Sequence, residues 1–142
     1  MIEIKRVTKI TPEIIDAFSL LIPQLTNQNQ VPDRKDMETI IESKNTYLFI
    51  GCNPGIVGTL TLVIMKTLSG SKAWIEDVVV DSSARGQNIG KELVCHAIDY
   101  AKKLNVSSIN LTSGTDRIAA NKLYQSLGFI QRNSNLYRLS LE

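Results

Sequence analysis

Between a run of β-branched residues and a long helical repeat, the chain carries the segment Arg85-Gly86-Gln87-Asn88-Ile89-Gly90. Upstream, "AWIEDVVV" (73–80) has the composition of a central strand. Downstream, "IGKELVCHAIDYAKKL" (89–104) sets Ile89, Leu93, Ala97, Ala101 and Leu104 at helical spacing. Two glycines within five residues weaken any helix they enter, because glycine loses the most backbone freedom on ordering. At a strand-to-helix junction they serve a turn, or the close approach of a ligand to backbone. A helix opening near Asn88 points unpaired N–H groups out of its first turn and carries about half a positive charge there. Gly86 and Gly90 put no Cβ in the way, and Arg85 and Lys91 add charge. A diphosphate is the ligand such a nest suits.

The rest of the chain limits what surrounds this junction. "IEIKRV" (2–7) alternates as a half-buried strand does. Thr11 and Pro12 open a helix over 11–25, which Pro23 is expected to end or kink. Residues 26–32 read as loop, and 33–44 as an amphipathic helix with Met37, Ile40 and Ile41 inward. "TYLFIG" (46–51), the turn "CNPG" and "IVGTLTLVIM" (56–65) form a hairpin, and "SGS" (69–71) turns into 73–80. After the central helix come a strand at 106–112, a helix at 116–128 closed by Gly128, and strands at 129–132 and 136–141. The order β-α-α-β-β-β-α-β-α-β-β predicts one mixed α/β (α+β) domain over 1–142. It lacks the alternating βαβαβ order of a doubly wound nucleotide fold.

Composition narrows the function classes. With 16 Lys and Arg against 14 Asp and Glu, the net charge is +2, and no concentrated basic stripe points to nucleic acid. No stretch reaches the ~18 apolar residues of a membrane span, and the N-terminus alternates rather than forming a signal peptide, so a cytoplasmic setting is expected. Cys52 and Cys95 lie far apart without a CxxC or Cys/His cluster, which speaks for two reduced thiols and no metal.

"IEDVVVDSSARGQNIGKEL" followed by "AANKLYQSLGF" resembles the GNAT superfamily of acetyl-CoA-dependent N-acetyltransferases. The family signature [Q/R]-x-x-G-x-[G/A], set after a strand and opening a helix, falls on Arg85 to Gly90, with Asn88 where the first glycine stands. A second signature, A-x-x-x-Y-x-x-x-G-F, falls on Ala120, Tyr124, Gly128 and Phe129. The similarity is strong over about residues 73–130. It implies a mostly antiparallel mixed sheet flanked by helices, with a V-shaped splay between its two central strands. It also implies acetyl-CoA as cosubstrate. Its pyrophosphate would sit on Arg85, Gly86, Gln87, Asn88, Ile89, Gly90 and Lys91, and its pantetheine arm along Val78, Val79 and Val80. Asn121, one turn before Tyr124, is implied as a further contact. Asn tolerates unusual backbone angles, so the departure at Asn88 is compatible with the loop.

Transfer to an amine poses three requirements. A Lys-like amine is neutral in only about one molecule in a few thousand at pH 7, so a base must take its proton. Glu76 is the candidate, with Asp77 its competitor on the opposite face. The oxyanion needs a donor, which the resemblance places at the Val78 N–H of a bulged strand. The departing thiolate gains from an acid, the role the resemblance gives Tyr124, whose phenol stays protonated at neutral pH.

The acceptor, a small-molecule or peptide amine, is not readable. "IEDVVVDSSARG" is similar to glucosamine-6-phosphate N-acetyltransferases, whereas "LTSGTDRIAANKLYQSLGF" is similar to bacterial members with varied acceptors. A catalytically silent acetyl-CoA sensor is the rival reading. The resemblance also implies a homodimer through the C-terminal strands. His96 reads as structural, Trp74 as packing on the sheet or at an opening between subunits, and Arg117 as helix surface or as a contact for an acidic acceptor or the coenzyme 3′-phosphate.

Overall fold

Thr11 sets the first helix, α1 (Pro12–Leu25): its hydroxyl accepts from the Ile14 amide at 3.3 Å. Pro12 takes the first position, where no N–H is needed. These features come from a computed structural model that describes residues 2–26 and 30–142. Pro23 falls two residues before the helix end, within the bounds expected from the sequence. It lies in the last turn, where the missing N–H removes one bond, and the helix runs on to Leu25. Of the loop read at 26–32, residues 27–29 lie outside the described residues. Asp33 and Asp36 then open α2 (Arg34–Glu42) with a reciprocal capping box: the Asp36 amide donates to Asp33 at 2.8 Å and the Asp33 amide to Asp36 at 3.1 Å. Met37 is buried, while Ile40 and Ile41 are half-buried.

The chain divides into two units, Met1–Leu111 and Thr112–Glu142. The first holds a five-stranded sheet, β1 (Glu3–Arg6), β2 (Thr46–Cys52), β3 (Ile56–Thr67), β4 (Gly70–Val80) and β5 (Ile109–Asn110), in that spatial order. All pairs are antiparallel except β4 with β5. Strand alternation divides its side chains between two helical layers. Leu48 and Ile50 of β2 and Val79 of β4 pack with Ile14, Phe18 and Leu21 of α1 and Met37 of α2. On the other face lies α3 (Ile89–Lys103), with Phe49 edge-on to His96 at 4.9 Å and to Tyr100 at 5.2 Å. His96 thus packs its ring against the sheet. At Gly58 a Cβ would come within 3.1 Å of Leu93 and 3.2 Å of Ile89, so α3 rests directly on β3.

The strand expected over 106–112 is only Ile109–Asn110. In the second unit α4 spans Ile118–Ser126, inside the expected 116–128. Residues 129–132 and 136–141, expected as strands, form none: Ile130, Leu136, Tyr137, Leu139 and Leu141 are exposed. Their apolar composition favours a strand only when a neighbouring strand supplies ladder bonds and a packing surface.

Candidate active site

Glu76 of β4 pairs with Thr61 of β3, and Val79 pairs with Thr59, so Asp77 and Val78 together oppose Leu60. This two-against-one arrangement is a β-bulge, the irregularity foreshadowed by the broken alternation of "IEDVVV". Asp77 occupies its left-handed position, φ +53°, which Asp tolerates better than most residues. Glu76 is exposed and shares with Trp74 the face that carries α1 and α2, as their cross-strand partners show. Asp77 retains exposed surface, but partial burial lifts its carboxyl above the usual carboxylate range.

The other side of β4 is open. Its ladder with β5 consists of Ala73 with Ile109 and Trp74 with Asn110, reinforced by Asn110 Nδ2 donating to the Ala73 carbonyl at 3.4 Å. From Ile75 to Val80 the strand has no ladder partner on that side among the described residues. The Asp81 amide donates to Val57 of β3 at 2.8 Å, so by strand alternation Val80 turns its backbone groups toward the open edge.

A 3₁₀ turn (Ser82–Ala84) follows β4, and the glycine segment lies between two buried anchors, Ala84 and Ile89. Arg85, Gly86, Gln87, Asn88 and Lys91 are exposed, and Gly90 is half-buried. Gly86 has φ +84°, and a Cβ there would meet nothing within 4 Å; glycine is needed for the angle rather than for room inside the protein. Asn88 is the N-cap of α3 and also left-handed, φ 64° and ψ 20°. It accepts from the Glu92 amide through its carbonyl at 3.0 Å, and its side chain makes no capping bond. The first-turn N–H groups of α3 are thus left to other partners.

Two side chains from elsewhere in the unit reach this loop. Gln24 of α1 donates through Nε2 to Asp81 Oδ1 at 3.2 Å and accepts from the Ser82 amide at 2.9 Å. The hydrogen bond from Gln24, helped by those from Ser83 and Ser82, holds the Asp81 carboxyl below the usual range. Asn53, in the β2–β3 turn, donates through Nδ2 to Gln87 Oε1 at 2.9 Å. Neither residue stands out in the sequence: one is a polar residue ending an amphipathic helix, the other a turn residue.

In the second unit, Asn121 donates through Nδ2 to the carbonyls of Gly114 at 2.9 Å and Arg117 at 2.7 Å. Its amide donors therefore tie the approach to α4. Tyr124 is buried and meets Phe129 edge-on, with ring centroids 6.0 Å apart. Burial raises its phenol above the ordinary value, against a smaller opposing effect of the Arg117 charge.

The donor set suits acetyl-CoA: backbone N–H groups at a helix N-terminus with two left-handed residues for a pyrophosphate, then an open strand edge for an amide-bearing arm. Among the described residues no group of three or more His, Cys, Asp or Glu could hold a metal, and no helix is long and apolar enough to cross a membrane.

Residues 14–129 match the acetyltransferase (GNAT) family, and the chain belongs to that family. Human N-acetyltransferase 8 is 34% identical over 83 residues, 58% of this chain and 36% of that protein, so the chain spans little more than a third of that relative. A solved putative acetyltransferase from Agrobacterium tumefaciens C58 superposes with TM-score 0.83 at 23% identity, covering 97% of this chain and 99% of that one. A structure described as a transcriptional regulator from Bacillus halodurans C-125 gives TM-score 0.80 at 29% identity, over 99% and 100% of the two chains. The fold is the mostly antiparallel mixed sheet flanked by helices that the sequence implied.

Proposed function

We propose that residues 1–142 act as one acetyl-CoA-dependent N-acetyltransferase domain on a primary amine. The observation that carries this reading is the continuity of an open, bulged strand edge with a left-handed glycine loop at a helix N-terminus. In this reading Arg85 to Lys91 hold the pyrophosphate, and the β4 edge at Val78, Val79 and Val80 takes the pantetheine arm. Asn121 is read as a further coenzyme contact, its side-chain carbonyl being the group that its own two hydrogen bonds leave for that role. Acetyl-CoA brings the acyl group as an activated thioester.

The chain's own groups then move protons. Glu76, exposed beside the bulge, removes the amine proton directly or through water, with Asp77 the alternative base. The Val78 N–H faces the developing oxyanion. Once the C–N bond has formed, the oxyanion collapses and Tyr124, protonated at neutral pH, gives its proton to the sulfur as the C–S bond breaks. A cytoplasmic setting suits this cosubstrate. The exposed Leu136, Tyr137, Leu139 and Leu141 favour a homodimer in which these segments gain partners.

Thiol release from acetyl-CoA, followed over a panel of amino sugars, aminoglycosides, polyamines and lysine peptides, tests the reading. Acceptor-dependent release that Glu76→Gln suppresses supports it. Coenzyme binding with no acceptor-dependent release supports a silent sensor, the second reading, which the likeness to a structure described as a transcriptional regulator favours.

A further inference from the structure

The coenzyme loop has little to hold its shape from within. Between the buried Ala84 and Ile89, its four residues are all exposed, and two of them, Gly86 and Asn88, are left-handed. Such a segment gains no burial energy from its own side chains, and fixing each backbone residue costs about 1–2 kcal/mol of entropy. Its geometry must come from contacts at its flanks.

Gln24 makes that contact on the strand side. One amide reads two groups at once, donating to Asp81 Oδ1 and accepting from the Ser82 amide, and so locks the turn that launches the loop onto α1. Asp81 accepts in turn from the Ser83 amide at 3.4 Å, and the Ala84 amide donates to the Asp81 carbonyl at 2.9 Å. The bond from Asn53 to Gln87 steadies the loop from the other side.

We propose that Gln24 is a positioning residue for acetyl-CoA, holding the loop in its coenzyme-binding shape through Asp81 and Ser82. The inference rests on the coenzyme site read above. Affinity for the coenzyme scales with the fraction of molecules already in that shape. Without the clamp the fraction falls, and the loss appears in coenzyme binding rather than in the chemical step.

Gln24→Met keeps the length and most of the volume of the side chain but can make neither bond. Three measurements on the full chain test it: the CoA dissociation constant by calorimetry, steady-state kinetics, and amide hydrogen exchange over residues 82–88 without ligand. The expected result is a dissociation constant and acetyl-CoA KM raised about ten-fold. The expected kcat and acceptor KM stay within two-fold, and exchange is faster in the loop. Wild-type-like coenzyme affinity in Gln24→Met overturns the proposal, as does an equal fall in kcat with unchanged affinity. If wild-type protein itself fails to bind CoA, it is the coenzyme site that is wrong. Where Gln24→Met fails to fold, Gln24→Glu is measured in its place: it removes the donor and sets a carboxylate against Asp81, and is held to the same outcomes.

Discussion

The amide of Phe129 donates to the carbonyl of Tyr124 at 3.0 Å, tying the proposed acid to the stop of its own helix. The Gly128 amide donates to Gln125 at 3.1 Å, and Gly128 takes φ +99°. Together these make a Schellman cap, with the aromatic pair as its apolar contact. The spacing of Tyr124, Gly128 and Phe129 thus has a structural logic that needs the tyrosine ring but not its hydroxyl.

Tyr124→Phe separates the two roles. The cap and the ring contact remain, so the melting temperature should change by less than about 2 °C and CoA affinity by less than two-fold. With the acid gone, kcat should fall about 10²-fold. An unchanged kcat would mean that the phenol donates no proton in the rate-limiting step.

Gly128→Ala tests the cap itself. Any Cβ at φ +99° is strained, at a cost of about 1–2 kcal/mol. Chemical denaturation should show this loss, although the open space around the glycine offers no clash.

Asp77 gives a pH-dependent prediction. Its carboxyl titrates above the usual range when folded, because burial disfavours the charge. Its stabilising contribution is therefore complete below the unfolded value and is lost as pH rises through the folded one. Asp77→Asn never ionises and still tolerates the left-handed bulge position. Its melting temperature should match wild type near pH 3 and exceed it at pH 7. A constant difference across that range would place the cause in packing instead.

Glu76→Gln and Asp77→Asn, compared in the same assay, assign the base. Glu76 is the exposed carboxylate on the α1–α2 face, so Glu76→Gln should lower kcat by 10² or more. Asp77→Asn should stay within about five-fold of wild type. The reverse order would transfer the role to Asp77.

How much of this was legible in the sequence differs by region. Hairpins were readable because β2, β3 and β4 combine β-branched residues with Asn, Pro and Gly at the turns, a local code. Thr11 and Gly128 announced helix ends for the same reason. The loop after β4 was legible because left-handed geometry restricts residue choice, and Asn88 is among the residues that can adopt it. The brevity of β5 and the unpaired segments after Phe129 were not legible, since strand formation there depends on a partner that local composition does not encode. Gln24 and Asn53 were invisible for a related reason: each acts on residues far away in sequence, 57 and 34 positions on.

Thermal unfolding with saturating acetyl-CoA, CoA or NAD shows whether residues 85–91 form a coenzyme A cradle. A ligand at 100 times its dissociation constant stabilises by about 2.7 kcal/mol. In a chain of this length that raises the melting temperature by roughly 5–10 °C. Such a rise is expected with acetyl-CoA and with CoA, none with NAD, and it should be lost when Asn88 is replaced by valine but not by glycine. Equal shifts with all three ligands, or none with either CoA species, would contradict the cradle.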